Sequence, residues 1–124
     1  MLTALLLAQA LATGSPVAPP PDWAALPVFP VDITMPVEAV AYVRAQVRDG
    51  HCSRTPATAR TLAVPVAILV GPGGTVRQIT PQAIDCPSVE QYTVGLLLSA
   101  TRRSAGAPTS PSPGWYTLTP IYRW

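Results

Sequence analysis

The chain has no lysine, one histidine and six acidic residues in 124 positions, against eight arginines, for a formal net charge of +2. So little charge argues against polyelectrolyte partners. With no basic run beyond Arg102-Arg103, no stripe tracks a phosphate backbone and no patch suits an anionic membrane surface. Paired carboxylates are also missing, because Asp22, Asp32, Glu38, Asp49, Asp85 and Glu90 are spread along the chain. There is no Gly-x-Ser-x-Gly motif and no complete phosphate-loop signature, and Gly71-Pro72-Gly73-Gly74 joins two apolar runs instead of opening a helix. No enzyme activity and no cofactor is expected.

Long hydrophobic runs are absent too. The apolar stretch in residues 1–12, MLTALLLAQALA, falls short of the roughly 20 residues a membrane-spanning helix needs. It closes on Ala10-Leu11-Ala12, the small-x-small pattern that precedes a cleavage point. Residues 1–12 therefore read as an export signal, which makes the protein periplasmic or secreted with no stable membrane span. The competing readings are a start that truncates a longer membrane helix and a simple buried helix.

Cysteine is nearly absent, and export decides how the two that remain are read. In an oxidising compartment Cys52 and Cys86 are expected to form a disulfide, the alternative being two buried free thiols. A metal cluster of His51, Cys52, Asp85 and Cys86 matches no recurring zinc spacing, and residues adjacent in sequence such as His51 and Cys52 seldom point at one another for nucleophilic chemistry.

Proline is the residue in excess: seven of the sixteen fall in residues 16–36. That density favours an extended, polyproline-like chain, so residues 13–35 read as a tether, with Trp23 and Phe29 resting on the surface of the domain that follows. Residues 36–124 are expected to be that domain.

Its centre is the stretch 62–86. Leu62, Val64, Val66, Ile68 and Val70 recur at every second position, as a well-buried strand requires. The glycine-proline turn follows, then a weaker alternation of Val76, Gln78 and Thr80 against Arg77 and Ile79. Upstream, residues 36–49 carry Val37, Val40, Ala41, Val43 and Val47 on one side of a short helix, with Pro36 at its first position and Gly50 past its end. Downstream, Asp85 or Cys86 can cap a second helix whose Val89, Tyr92, Leu96, Leu97 and Ala100 repeat at helical spacing. The last ten residues, WYTLTPIYRW, alternate again: Tyr116, Leu118, Tyr122 and Trp124 face one way, and Trp115, Thr117, Thr119, Ile121 and Arg123 the other. The expected fold is α+β: a three-stranded antiparallel sheet packed against two helices in the order helix-strand-strand-helix-strand, with the first strand in the middle and the last on an edge. Pro65 should delay full pairing of the middle strand until Val66, and Pro120 should place its missing N–H on the free edge.

This order, the VAILVGPGGTVRQI hairpin, the helix ending in arginines and the aromatic final strand together resemble the C-terminal domain of TonB-family energy transducers, over residues 36–124. The resemblance implies a periplasmic domain behind a Pro-rich spacer. It also implies that the exposed last strand, residues 116–122, pairs with a short peptide of an outer-membrane receptor; the side of that strand facing away from the core, Trp115, Thr117, Thr119, Ile121 and Arg123, is then expected to meet the partner. Departures from the family are plain. Read as an export signal, residues 1–12 would not supply the family's membrane anchor, the spacer reaches only about 70 Å when extended, and proline on a free edge would interrupt an incoming strand. The alternative is a disulfide-stabilised structural or inhibitory domain with no transport role.

Overall fold

Two prolines decide how the sheet is cut. In the computed structural model, which describes residues 16–103 and 111–124, Pro65 separates strand β1 (Thr61–Ala63) from β2 (Val66–Val70). On the neighbouring antiparallel run of the same chain Pro120 separates β4 (Gly114–Leu118) from β5 (Ile121–Arg123). With β3 (Val76–Pro81) the strands form a three-stranded antiparallel sheet of order β3-β2-β4 and a two-stranded sheet of β1 and β5. The expected single final strand is therefore two strands.

The register runs through the break. Thr61 pairs with Arg123 and Leu62 with Tyr122, while Val66 pairs with Leu118 and Ile68 with Tyr116, all at one constant offset. The two pairs of strands are one long antiparallel ribbon, and the offset sets Pro120 opposite Val64. The Val64 N–H donates to the Pro120 carbonyl at 3.0 Å. In an antiparallel ladder alternate residues point their backbone groups at the partner, so Pro120 belongs to the inward-pointing set. Its missing N–H faces Val64 and not the free edge, which corrects the expectation drawn from sequence. The same parity puts the missing N–H of Pro65 on its β3 side, where its carbonyl accepts from Gln82 at 2.8 Å.

Helices α1 (Val37–Arg48) and α2 (Pro87–Arg103) roof different parts of the ribbon. Beneath α1, one core joins Ala39, Val43 and Val47 to Leu62, Val64, Tyr122, Cys52, Cys86 and Val89. Beneath α2, a second joins Val66, Ile68, Val70 and Ile79 to Leu97 and Phe29. The buried stripe of α1 is Ala39, Val43 and Val47, an i, i+4, i+8 row. Val37, expected inside, is 83 % exposed, because it lies a half-turn away from that row. Pro36 caps α1 instead of opening it, and Gly50 ends it with φ +83° and its N–H on Val47.

At the head of α2 the Glu90 carboxylate accepts from the N–H groups of Ile84 and Cys86 at 3.0 and 3.1 Å, satisfying donors that no helical carbonyl reaches. The Cys52–Cys86 disulfide joins the loop after α1 to that cap, and Arg54 pairs with Asp85 beside it. Thr93, polar in sequence, is fully buried in α2: its hydroxyl donates to the Val89 carbonyl at 2.8 Å. That spends its one proton, so the Tyr122 hydroxyl, 2.7 Å away, is the donor between the two.

Candidate functional site

The residues with recognition potential follow from the parity of the ribbon. Trp115, Thr117, Thr119, Ile121 and Arg123 are the positions whose N–H and C=O point away from β2 and β1, and together they form one edge. The structure treats the two ends of that edge differently.

At the β4 end the chain closes it itself. Thr117 donates to the Pro27 carbonyl at 2.9 Å and accepts from the Phe29 N–H at 2.8 Å, so residues 27–29 form an isolated parallel bridge to β4. Phe29 turns its ring under the sheet, 3 % exposed and edge-on to Tyr116 with ring centroids 5.8 Å apart. The tether reading of residues 13–35 thus fails at its C-terminal part, because Phe29 belongs to the core. The reason is physical: proline lacks a donor but keeps its carbonyl, so Pro27 can still accept from a strand edge. Further upstream, the Gln78 side chain on β3 accepts from the Val17 N–H at 2.9 Å and donates to its carbonyl at 2.7 Å. The segment therefore passes from β3 to β4 across the face opposite α2, where the fully buried Ala67 and the half-buried Leu69 and Trp115 lie. Trp23 and Leu26 are half-buried along the way.

The cover stops at Pro30. The Phe29 carbonyl, which would accept the next rung from Thr119, instead accepts from Val31 at 2.9 Å in a three-residue turn around that proline. Residues 31–33 then run apart from β5, leaving a cleft of about 310 Å³ lined by Val31, Asp32, Ile33, Thr119, Ile121 and Arg123. Among the described residues no hydrogen bond reaches the outward backbone groups of Thr119, Ile121 or Arg123, and all three residues are exposed. Of the five residues singled out in the sequence, Trp115 and Thr117 are half-buried and lie where the chain's own segment closes the edge, whereas Thr119, Ile121 and Arg123 form its open end.

The position of Pro120 matters here. Because its missing donor faces Val64, the open end keeps the N–H groups of Ile121 and Arg123, and the objection to strand addition raised from sequence does not apply.

A second surface lies on the other side of β5. Met35, Val37, Val40, Ala41, Arg44, Arg48, Arg123 and Trp124 line a groove of about 560 Å³ between α1 and the end of the ribbon. Past Trp124 a second hollow of about 360 Å³ is lined by Arg44, Arg48, Ala57, Thr58, Ala59 and Arg60. Arg48 is hydrogen-bonded to Asp49 at 3.0 Å, which holds the Asp49 carboxyl below its ordinary range. No local pattern announces this basic cluster, since its four arginines are scattered from position 44 to position 123.

His51 is exposed, and Cys52 and Cys86 are joined to each other. Among the described residues no helix is long and apolar enough to cross a membrane. Residues 1–12, read as an export signal, lie outside the described residues. Compared with family models, curated proteins and solved structures, the chain matches none.

Proposed function

We propose that this chain is an exported peptide- or protein-binding module, built along the lines of the C-terminal domain of TonB-family transducers, that takes an extended partner segment along the open end of its last strand. The observation that carries this reading is the set of unpaired, outward backbone groups at Thr119, Ile121 and Arg123 beside a cleft. An exposed strand edge is a ready template for another strand, and the cleft has room for alternate side chains of the incoming segment. A segment of an outer-membrane receptor is the partner the resemblance implies. The disulfide fits an oxidising compartment, and with it the export reading.

The closed β4 end favours the second reading, a structural or inhibitory domain with no transport role, because the chain's own residues 27–29 already fill the place of a partner at Thr117.

One substitution separates the two. Ile121→Pro removes an outward N–H while leaving the inward bonds of Leu62 and Tyr122 in place. A heptapeptide library displayed on phage, panned on the wild-type protein, should yield sequences that shift the amide signals of residues 119–123, bind Ile121→Pro about tenfold more weakly, and lose binding when alternate peptide nitrogens are methylated. Enriched peptides that bind Ile121→Pro equally well, or that shift the α2 amides instead, would rule out edge pairing.

A further inference from the structure

The groove between α1 and the end of the ribbon combines an apolar lining with a cluster of arginines. Its floor and rim are apolar: Met35, Val37, Val40, Ala41 and Trp124 line it, and Val37 is left 83 % exposed. Its walls are cationic, for Arg44, Arg48 and Arg123 border it and Arg60 borders the hollow across Trp124. Half of the eight cationic residues of the chain are therefore gathered at one place. Only Arg48 is neutralised, by Asp49; among the described residues Arg44, Arg60 and Arg123 make no ion pair.

Three facts narrow the chemistry of a partner. Guanidinium groups present planar, paired donors that match carboxylate oxygens. The apolar floor calls for side chains that bring hydrocarbon along with the charge. The surface is concave and confined, so it suits a few side chains, not a flat bilayer, and a net charge of +2 offers no extended track for a polyanion.

We infer that this groove is a second binding surface, and that it takes an acidic peptide segment whose carboxylates meet Arg44, Arg60 and Arg123 and whose aliphatic side chains enter between Met35, Val40 and Trp124. Arg123 borders both surfaces, whereas Met35, Val40, Arg44 and Arg60 lie off the strand edge, so these four hold the segment whether or not a strand adds at Ile121.

The test uses the full chain with a blocked octapeptide alternating glutamate and leucine, followed by tryptophan fluorescence and calorimetry. The expected result is saturable binding that weakens as salt rises, since screening shortens the reach of surface charges. The glutamine-for-glutamate peptide should bind at least about tenfold more weakly, and an Arg44→Gln/Arg60→Gln variant should lose about tenfold in affinity for the glutamate peptide. Both arginines are exposed, so circular dichroism should show the variant folded like the parent. Ile121→Pro should bind the octapeptide unchanged, which separates this surface from the strand edge. Equal binding of the glutamine peptide would overturn the inference, as would unaltered affinity in the double arginine variant. So would binding of a single-stranded oligonucleotide or of phosphatidylglycerol vesicles without binding of the peptide.

Discussion

The two halves of the ribbon share one register and are closed by different means. The half containing β2 and β4 is covered on both faces and along one edge: α2 lies on one face, and residues 16–29 strap the other face and pair with Thr117. The half containing β1 and β5 has α1 with the start of α2 above it, shows Thr61, Ala63, Ile121 and Arg123 to solvent, and among the described residues has nothing hydrogen-bonded along its β5 edge. A two-stranded ribbon is marginal alone, and it is in this half's core that Cys52 and Cys86 are joined. The half whose β5 edge carries no hydrogen bond among the described residues is also the half held by a covalent link. Packing secures the closed half; the disulfide secures the open one.

Cutting that link should have the largest effect. With the cysteines 34 positions apart in sequence, the chain-entropy account gives about 4 kcal/mol of stability to the bridge. Cys52→Ala/Cys86→Ala should lose about that much in denaturant unfolding, and hydrogen exchange should show the loss concentrated at Leu62 and Tyr122, with Val66 and Ile68 better protected. Uniform loss of protection in both halves would show that they are not separately closed.

The reverse experiment loosens the closed half. Removing the buried ring in Phe29→Ala should cost about 3 kcal/mol by the usual scale for large core truncations. It should also free the Thr117 amide, whose partner is the carbonyl of Pro27. Exchange at Thr117 should rise well above that at Tyr122. If Thr117 stays protected in this variant, the pairing of residues 27–29 does not depend on the anchored ring.

Much of this architecture was legible in the sequence. Period-two alternation located the strands, and helical spacing with Gly50 and Glu90 located the helices, because those signals are local. Parity of the last strand also sorted its residues correctly into Tyr116, Leu118, Tyr122 and Trp124 toward the cores and Trp115, Thr117, Thr119, Ile121 and Arg123 away. Three things were not legible, each for a physical reason. The docking of Phe29 depends on a gap beneath β4 that exists only in the folded sheet, whereas the prolines around it signal extended chain whether docked or free. The inward orientation of Pro120 depends on register, and a shift of one residue would reverse it. The arginine groove depends on bringing α1, residues 57–60 and the C-terminal strand together, which no local pattern encodes.

The smallest predicted effect sharpens the comparison at the point where the open half meets α2. Tyr122 is fully buried on β5, and its hydroxyl donates to Thr93 of α2. Tyr122→Phe removes one neutral hydrogen bond but leaves the Thr93 proton satisfied by Val89, so the loss should be about 1 kcal/mol. The substitution also has a pH signature. Burial raises the Tyr122 hydroxyl above its ordinary value of 10.0, which means that the native protein keeps this proton at a pH where the unfolded chain gives it up. The unfolded state then binds fewer protons, and stability falls as pH rises. This contribution is full below pH 10.0 and is lost above it, through the interval between the ordinary and the raised value. The gap between wild type and Tyr122→Phe should therefore stay constant up to that pH and narrow beyond it. A constant gap across the alkaline range would mean that the Tyr122 hydroxyl reaches water, and that β5 is not seated against α2 as the hydrogen bond to Thr93 requires.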